Sequence, residues 1–279
     1  MKGGRLASGL AAAAFALLIV ALGGWWFSIA LAVIVDLALL EYFRLTRFKG
    51  IRPATKTVLV VCPLLLLITQ LDPAGPWAAA VLPIAGSVIC GWLLLQPGGG
   101  TIADVAASIF GLFYLGFLPS HWVRLRTLAE PLFSPRWPQH SGLALTLLTF
   151  LMIWAADCAA YVWGSRYGRT PLSGVSPGKT VEGALAGLLG AVLVGAAGLP
   201  LVGWSGSLGV GAGALLGGLV ALMALVGDLT ESMLKRDAGV KDSGELIPGH
   251  GGILDRVDSY LFTPAAVVHA LTLALPLLH

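Results

Sequence analysis

Apolar runs close to twenty residues long recur along the whole chain, and they constrain its fold more than any other feature. A helix of about 20 apolar residues crosses the hydrocarbon core of a bilayer. The charge content agrees, since Asp, Glu, Lys and Arg make up only 11% of the residues, against about 25% in soluble domains. The pattern therefore predicts an all-α, polytopic integral membrane protein.

We predict about nine transmembrane helices from these runs. The first follows Lys2 and Arg5, as the apolar part of a signal peptide would. No clear cleavage site comes after it, which favours a membrane helix over a cleaved signal. About five spans fall within 1–140, and 141–279 is predicted to be the catalytic region. The predicted spans are 6–23, 25–43, 57–71, 77–95, 102–122, 142–163, 181–203, 207–229 and 259–277.

Lysine and arginine are distributed unevenly between the two sides that these spans define. With a cytoplasmic N-terminus, fourteen fall in cytoplasmic segments and three, Arg124, Arg126 and Arg136, on the opposite side. The positive-inside rule then places the N-terminus and the most charged loop in the cytoplasm and the C-terminus outside, in a bacterial inner membrane. The net charge of +3 is too small to indicate a nucleic-acid partner.

The stretch from Asp228 to Asp258 holds eleven of the thirty-one charged residues. Asp228, Glu231 and Lys235 share one face of a predicted helix, while Asp255 and Asp258 share another. Carboxylates that converge at a membrane surface repel one another unless a cation lies among them, and hard oxygen ligands suit Mg²⁺. Neighbouring lysines and arginines suit phosphates, which predicts phosphoryl or nucleotidyl transfer. The alternative is a solvated loop held by salt bridges.

A turn separates these two carboxylate faces. Pro248 and Gly249 exclude a helix, and Gly251 and Gly252 allow the backbone to approach a ligand closely. His250 lies among them as a base, a phosphate ligand or a turn-stabilising donor, and the sequence leaves these three roles open.

Three further acids lie within or at the ends of the predicted spans. Ionisable groups inside a membrane are candidates for function. For the isolated Asp36 and Asp104, however, a structural hydrogen bond is the favoured interpretation. Glu41 lies near a basic loop and is predicted to pair with Arg44 or another neighbour.

The segment SGVSPGKTVEG, residues 173–183, contains two familiar patterns that we reject. GKT ends a P-loop only after a glycine five residues earlier, where this chain has a serine. GVSPG lacks the strand–turn–helix context of a nucleophile elbow. Ser176, Lys179 and Thr180 are instead predicted to place hydroxyls and a cation at the start of a helix, where they would bind an anion. The alternative is that these residues only cap the helix and add positive charge on the cytoplasmic side of the membrane.

Small residues recur at helical spacing in the seventh and eighth spans. Such faces let membrane helices approach closely. Packing within the chain is favoured over a dedicated dimer face, and a homodimer stays open. The residues concerned are Gly183, Gly187, Gly209, Gly213 and Gly217.

Residues 232–258, SMLKRDAGVKDSGELIPGHGGILDRVD, resemble the C-terminal signature of the phosphatidate cytidylyltransferase (CDP-diacylglycerol synthase) family at every fixed position. The upstream segment DCAAYVWGSRYGRTPLSGVSPGKTVEG, residues 157–183, also resembles the second motif of that family. Residues 1–140 match only in hydropathy.

The resemblance implies that CTP condenses with phosphatidic acid to give CDP-diacylglycerol and pyrophosphate, with Mg²⁺ required and a second cation left open. It implies metal binding by Asp228, Asp255 and Asp258. Further catalytic roles are implied for Lys235, Arg236, Lys241, Asp242 and His250. Substrate contacts are implied for Asp157, Ser176, Lys179, Thr180 and Arg256.

Two other functions stay open at this point. A cytidylyltransferase that acts on an ether-linked or polyprenyl lipid phosphate would carry the same motifs. The apolar residues that line a lipid groove do not show which of these lipids binds. An ion-coupled transporter is disfavoured, since it predicts polar residues in two matching halves, whereas here they cluster in one half of the chain.

Overall fold

The computed structural model describes residues 13–73, 76–128, 141–204, 207–245 and 251–274, and these are helical almost throughout. The long apolar runs form the long helices, as predicted. In chain order the helices are α1 (Ala13–Leu22), α2 (Gly24–Phe48), α3 (Thr55–Leu71), α4 (Pro76–Leu94), α5 (Ile102–Arg126), α6 (Ser141–Tyr167), α7 (Val181–Leu201), α8 (Ser207–Asp237), α9 (Leu254–Val257) and α10 (Thr263–His269).

Five of these helices, α2, α5, α6, α7 and α8, are long and apolar enough to cross a membrane. The prediction of an all-α integral membrane protein is therefore confirmed. Three more apolar helices, α1, α3 and α4, are shorter. The count of nine spans and the orientation in the membrane stay predictions.

A short β-hairpin interrupts the helical architecture between α6 and α7. Its strands, β1 (Pro171–Ser173) and β2 (Ser176–Thr180), pair antiparallel with Ser173 opposite Ser176. The prediction that Ser176 and Lys179 lie at the start of a helix is therefore wrong, because both lie on β2. The proline and glycine between them disfavour a helix. Only Thr180 is at the helix start, where its side chain accepts a hydrogen bond from the amide of Gly183.

The chain divides into two compact units. Unit 1 comprises Met1–Arg124 and Leu234–Val257, and unit 2 comprises Leu125–Met233 and Asp258–His279. The charged stretch of the sequence is thus shared, with Asp228 and Asp258 in unit 2 and Asp255 in unit 1. The predicted boundary at residue 140 is a different division of the chain and stays a prediction.

In unit 1, Asp104 has the structural role expected of it. Its side chain forms a capping box with Thr101 at the start of α5 and also accepts a hydrogen bond from the amide of Arg52 at 2.6 Å. A capping box satisfies amides that the first helical turn leaves without partners. Asp104 therefore fixes the α2–α3 connection to the start of α5.

In unit 2, the small residues allow close helix packing within the chain, as predicted. Added Cβ atoms at Gly183 and Gly187 on α7 would meet the carbonyl oxygens of Ala160 and Ala156 on α6. A Cβ at Gly217 on α8 would likewise meet the α7 backbone. Because backbones approach this closely only where side chains are small, the three helices form one closely packed group.

Candidate active site

A cavity of about 610 Å³ lies among α6, α7 and α8 of unit 2. Most of its wall is apolar, because these helices present alanine, glycine and leucine to it. The charged residues that line it are Asp157, Lys179 and Asp228. The cavity therefore joins an apolar chamber to a charged group, which suits a ligand with an apolar tail and a polar head.

Lys179 and Asp228 form an ion pair in this cavity. Lys179 comes from β2 and Asp228 from α8, so the hairpin supplies a cation to a carboxylate that the helix holds in place. The two side chains are 30% and 27% exposed. A partly desolvated pair of this kind is more strongly held than a surface pair, and its free ammonium hydrogens remain available to a phosphate.

Glu182, in the first turn of α7, holds the hairpin that carries Lys179. Its carboxylate accepts hydrogen bonds from the amides of Arg169 and Thr170 and from the Thr170 hydroxyl. Negative charge is also favourable at the start of a helix. Sequence reasoning missed this residue, although a glutamate in the first turn after a predicted helix cap is a recognisable signal.

Asp258 follows α9 in the chain and lies against α8. Its carbonyl oxygen is so close to Gly227 that a Cβ there would clash with it, and its carboxylate accepts the amide hydrogen of Ser259. Burial raises the pKa of the Asp258 carboxyl above its ordinary value, and the neighbouring charge of Asp228 raises it further. Because Gly227 directly precedes Asp228, the two acids are neighbours, and neighbouring carboxylates favour the presence of a cation.

Unit 1 contains a second cluster of predicted residues, centred on Asp255. Its Oδ1 pairs with the ammonium of Lys235 at 2.6 Å, and both side chains are largely buried. Its Oδ2 accepts hydrogen bonds from the amides of Ser243 and Gly252, and the Ser243 hydroxyl oxygen lies 2.9 Å from it. The carboxylate is therefore fixed by donors on both of its oxygens.

Glu41 is the main residue that sequence reasoning placed wrongly. It does not pair with Arg44; its carboxylate accepts hydrogen bonds from the Ser243 hydroxyl and the amides of Ile253 and Leu254. The only sequence signal was a carboxylate inside an apolar helix. Gly252 lies against the Glu41 carboxylate, and its predicted approach to a ligand stays a prediction.

The remaining predicted residues have the following positions. Arg236 is exposed and donates to the carbonyl oxygen of Val240, just beyond the end of α8. Lys241, Asp242 and Arg256 are exposed, and Ser176 is half-buried on β2. His250 lies outside the described residues, so its role stays open.

The donor set of unit 2 fits a magnesium ion. Asp228 and Asp258 offer hard carboxylate oxygens, and burial together with the charge of Asp228 raises the pKa of Asp258, an effect that a bound cation would offset. Lys179 is the cation beside Asp228. Within the described residues, no group of three or more His, Cys, Asp or Glu side chains is arranged to hold a metal, so remaining ligand positions would fall to water and substrate phosphates. The role of Asp255 as a third ligand stays a prediction.

Comparison with known proteins places these clusters in a chemical context. The family model described as the cytidylyltransferase family matches residues 4–274. The chain is 50% identical over 285 aligned positions to a phosphatidate cytidylyltransferase of Synechocystis sp., covering 96% of this chain and 95% of that protein.

More distant relatives carry the same name. A chloroplastic phosphatidate cytidylyltransferase of Arabidopsis thaliana is 42% identical over 272 positions, covering 88% of this chain and 67% of that protein. A phosphatidate cytidylyltransferase of Staphylococcus aureus (strain COL) is 30% identical over 239 positions, covering 84% of this chain and 83% of that protein.

Proposed function

Because the chain belongs to the cytidylyltransferase family, we propose that it transfers CMP from CTP to phosphatidic acid, giving CDP-diacylglycerol and pyrophosphate. It is thus a nucleotidyltransferase embedded in a membrane. The observation that carries this assignment is the charged end of the cavity in unit 2, where Lys179 and Asp228 lie beside an apolar wall.

The cavity suits phosphatidic acid because the lipid combines two acyl chains with one anionic phosphate. The apolar wall accepts acyl chains without any specific polar contact. The ammonium of Lys179 binds the phosphate and reduces the repulsion between it and the triphosphate of CTP, which is large at short range. Thr180 and Ser176, on the same hairpin, add hydroxyl donors to phosphate oxygens.

The reaction is an in-line displacement at phosphorus. An oxygen of the lipid phosphate forms a bond to the α-phosphorus of CTP. The bond from that phosphorus to the oxygen bridging to the β-phosphorus then breaks, and pyrophosphate leaves with the electron pair. Catalysis rests on holding the two phosphates in line and on offsetting their charge. No side chain forms a covalent intermediate.

We propose that Asp228 and Asp258 hold Mg²⁺. The bound ion would supply positive charge to the phosphate oxygens as negative charge shifts to pyrophosphate. The family signature adds Asp255 as a third ligand and Lys235, Arg236, Lys241 and Arg256 as cations for the triphosphate. Asp157, which lines the cavity, is proposed to orient the bound phosphate through a water or through Lys179.

The distribution of positive charge supports a cytoplasmic N-terminus and a cytoplasmic active site in a bacterial inner membrane. CTP is a cytoplasmic metabolite with no route across a bilayer, so a site on that side is also the one that its substrate reaches. The C-terminus would then lie outside. A homodimer is compatible with this arrangement and is not required by it.

The test is an assay of the purified protein with labelled CTP and diacyl phosphatidic acid, in Mg²⁺ and in EDTA. We expect CDP-diacylglycerol and pyrophosphate in equal amounts when Mg²⁺ is present, and neither product in EDTA. Parallel reactions contain an ether-linked phosphatidic acid or a polyprenyl phosphate. Faster turnover of either would assign another lipid substrate, and no CDP-lipid from any of the three would overturn the proposal.

A further inference from the structure

Glu41 is a buried carboxylate held entirely by neutral donors among the described residues. It lies on α2 and is 4% exposed. The Ser243 hydroxyl and the amides of Ile253 and Leu254 donate to its two oxygens at 2.8 to 2.9 Å. Burying a carboxylate is costly unless donors of this kind replace water, so this arrangement is a specific one.

The loop that receives Glu41 is built closely around it. Added Cβ atoms at Gly244 and Gly252 would both clash with the Glu41 carboxylate. Glycine at these two positions therefore lets the backbone approach the acid from two sides. The segment before the turn and the segment after it are tied to the same side chain, although they are separate in sequence.

The same loop residues hold Asp255. The Ser243 hydroxyl, which donates its one hydrogen to Glu41 Oε2, also lies 2.9 Å from Asp255 Oδ2, and the amides of Ser243 and Gly252 donate to that Oδ2. Asp255 in turn pairs with Lys235. Any shift of the backbone at Ser243 or Gly252 is therefore transmitted to the Asp255 carboxylate and to the ammonium of Lys235.

We propose that Glu41 is a positioning residue for nucleotidyl transfer: it fixes the loop that orients the Asp255–Lys235 pair. This inference rests on the proposed function, in which that pair belongs to the catalytic machinery. Glu41 itself does not touch the substrates in this scheme. Its carboxylate is required because it only accepts hydrogen bonds, and all three of its partners are donors.

Replacing Glu41 with glutamine gives the direct test. The amide nitrogen of glutamine is a donor, so it opposes at least one donor of the loop, and the loop must move to avoid it. A misplacement of about 1 Å costs on the order of 10²-fold in rate. We expect Glu41→Gln to lower kcat by about that factor, with the KM for phosphatidic acid nearly unchanged. Glu41→Asp keeps the acceptor and should retain more activity.

Two matched variants separate positioning from general stability. Asp36 lies on the same helix, and the structural hydrogen bond predicted for it is not seen at Oδ1, which has no partner among the described residues. Asp36→Asn therefore makes the same chemical change without touching the loop. Asp104→Asn removes a structural cap. We expect the first to leave kcat unchanged and the second to lower the melting temperature without lowering kcat per folded molecule.

Hydrogen exchange supplies a readout that does not depend on activity. In the metal-free protein, Glu41→Gln should speed exchange of the amides of Ile253 and Leu254, whereas Asp36→Asn should not. Wild-type exchange and wild-type kcat in Glu41→Gln would overturn the inference, as would an equal loss of kcat in Asp36→Asn. If the wild type makes no CDP-lipid, the proposed function fails, while the exchange experiment still decides whether Glu41 fixes the loop.

Discussion

Replacing Gly227 with alanine adds one methyl group at the point where α8 touches the backbone of Asp258. A Cβ there would lie well inside contact distance of the Asp258 carbonyl oxygen. Since carbon and oxygen atoms resist such overlap steeply, the two backbones must separate by about 1 Å to restore an ordinary contact. Asp258 would then move away from Asp228, its proposed partner in holding Mg²⁺.

A displacement of this size in a catalytic group costs on the order of 10²-fold in rate, equivalent to about 2.7 kcal/mol of transition-state stabilisation. The assay is the initial rate of CDP-lipid formation against Mg²⁺ concentration, in detergent, for equal amounts of monodisperse protein. We expect Gly227→Ala to lower kcat/KM by about that factor and to require more Mg²⁺ for half-maximal rate.

Gly211 provides the matched control on the same helix. A Cβ at Gly211 would have no heavy atom within 4 Å, so Gly211→Ala adds the same methyl group without a clash. It should leave both the rate and the Mg²⁺ dependence unchanged. The reasoning is refuted if Gly227→Ala is as active as Gly211→Ala, or if the two lose activity equally.

Two further predictions concern Lys179, which lines the cavity, and Asp258. Lys179→Met should lower kcat/KM by about 10² to 10³, as loss of one preorganised donor does, while Lys179→Arg should keep part of the activity; steady-state kinetics with both substrates checks this. Asp258→Asn should abolish CMP transfer yet raise the melting temperature in EDTA. Because burial raises the pKa of Asp258, the metal-free wild type should lose stability as pH rises through that pKa. Melting curves in EDTA from about pH 5 to about pH 8 should show this slope in the wild type and not in Asp258→Asn.

The sequence predicted what depends on composition and on residues near one another in the chain. The apolar runs located the long helices, and the glycines at helical spacing indicated that α7 and α8 pack closely within the chain. Asp104 was expected to be structural because it stands alone in its span, and the structure supplies the partner, Thr101, three residues away. Each of these inferences needs only the period of a helix and the size of a side chain.

What the sequence did not predict depends on contacts between distant parts of the chain. Glu41 and Ser243 are separated by 202 positions, so a nearby arginine was the more obvious partner for the acid. The hairpin was missed for another reason: a cap-like threonine before an apolar run indicates a helix start, but it does not show that the residues before it pair as strands. Local patterns identify a helix boundary and leave the geometry beyond it open.

Three acids of this protein share one property that affects how any substitution should be interpreted. Asp228 has Lys179, Asp255 has Lys235 and Glu41 has the loop amides. At Asp255 and Glu41, which are largely buried, removing one partner leaves the other group buried and unpaired, which costs more than the interaction itself contributed; at the partly exposed Asp228 this penalty is smaller. A single substitution at any of these positions therefore combines lost catalysis with a penalty to folding. For this reason the comparison between matched variants, normalised to folded protein, carries more weight than the size of any one loss in activity.

Glu41 illustrates the point best, because its partners belong to the loop and not to the substrates. A loss of kcat without a change in KM, in a protein that is still folded, is a result that simple destabilisation would not produce.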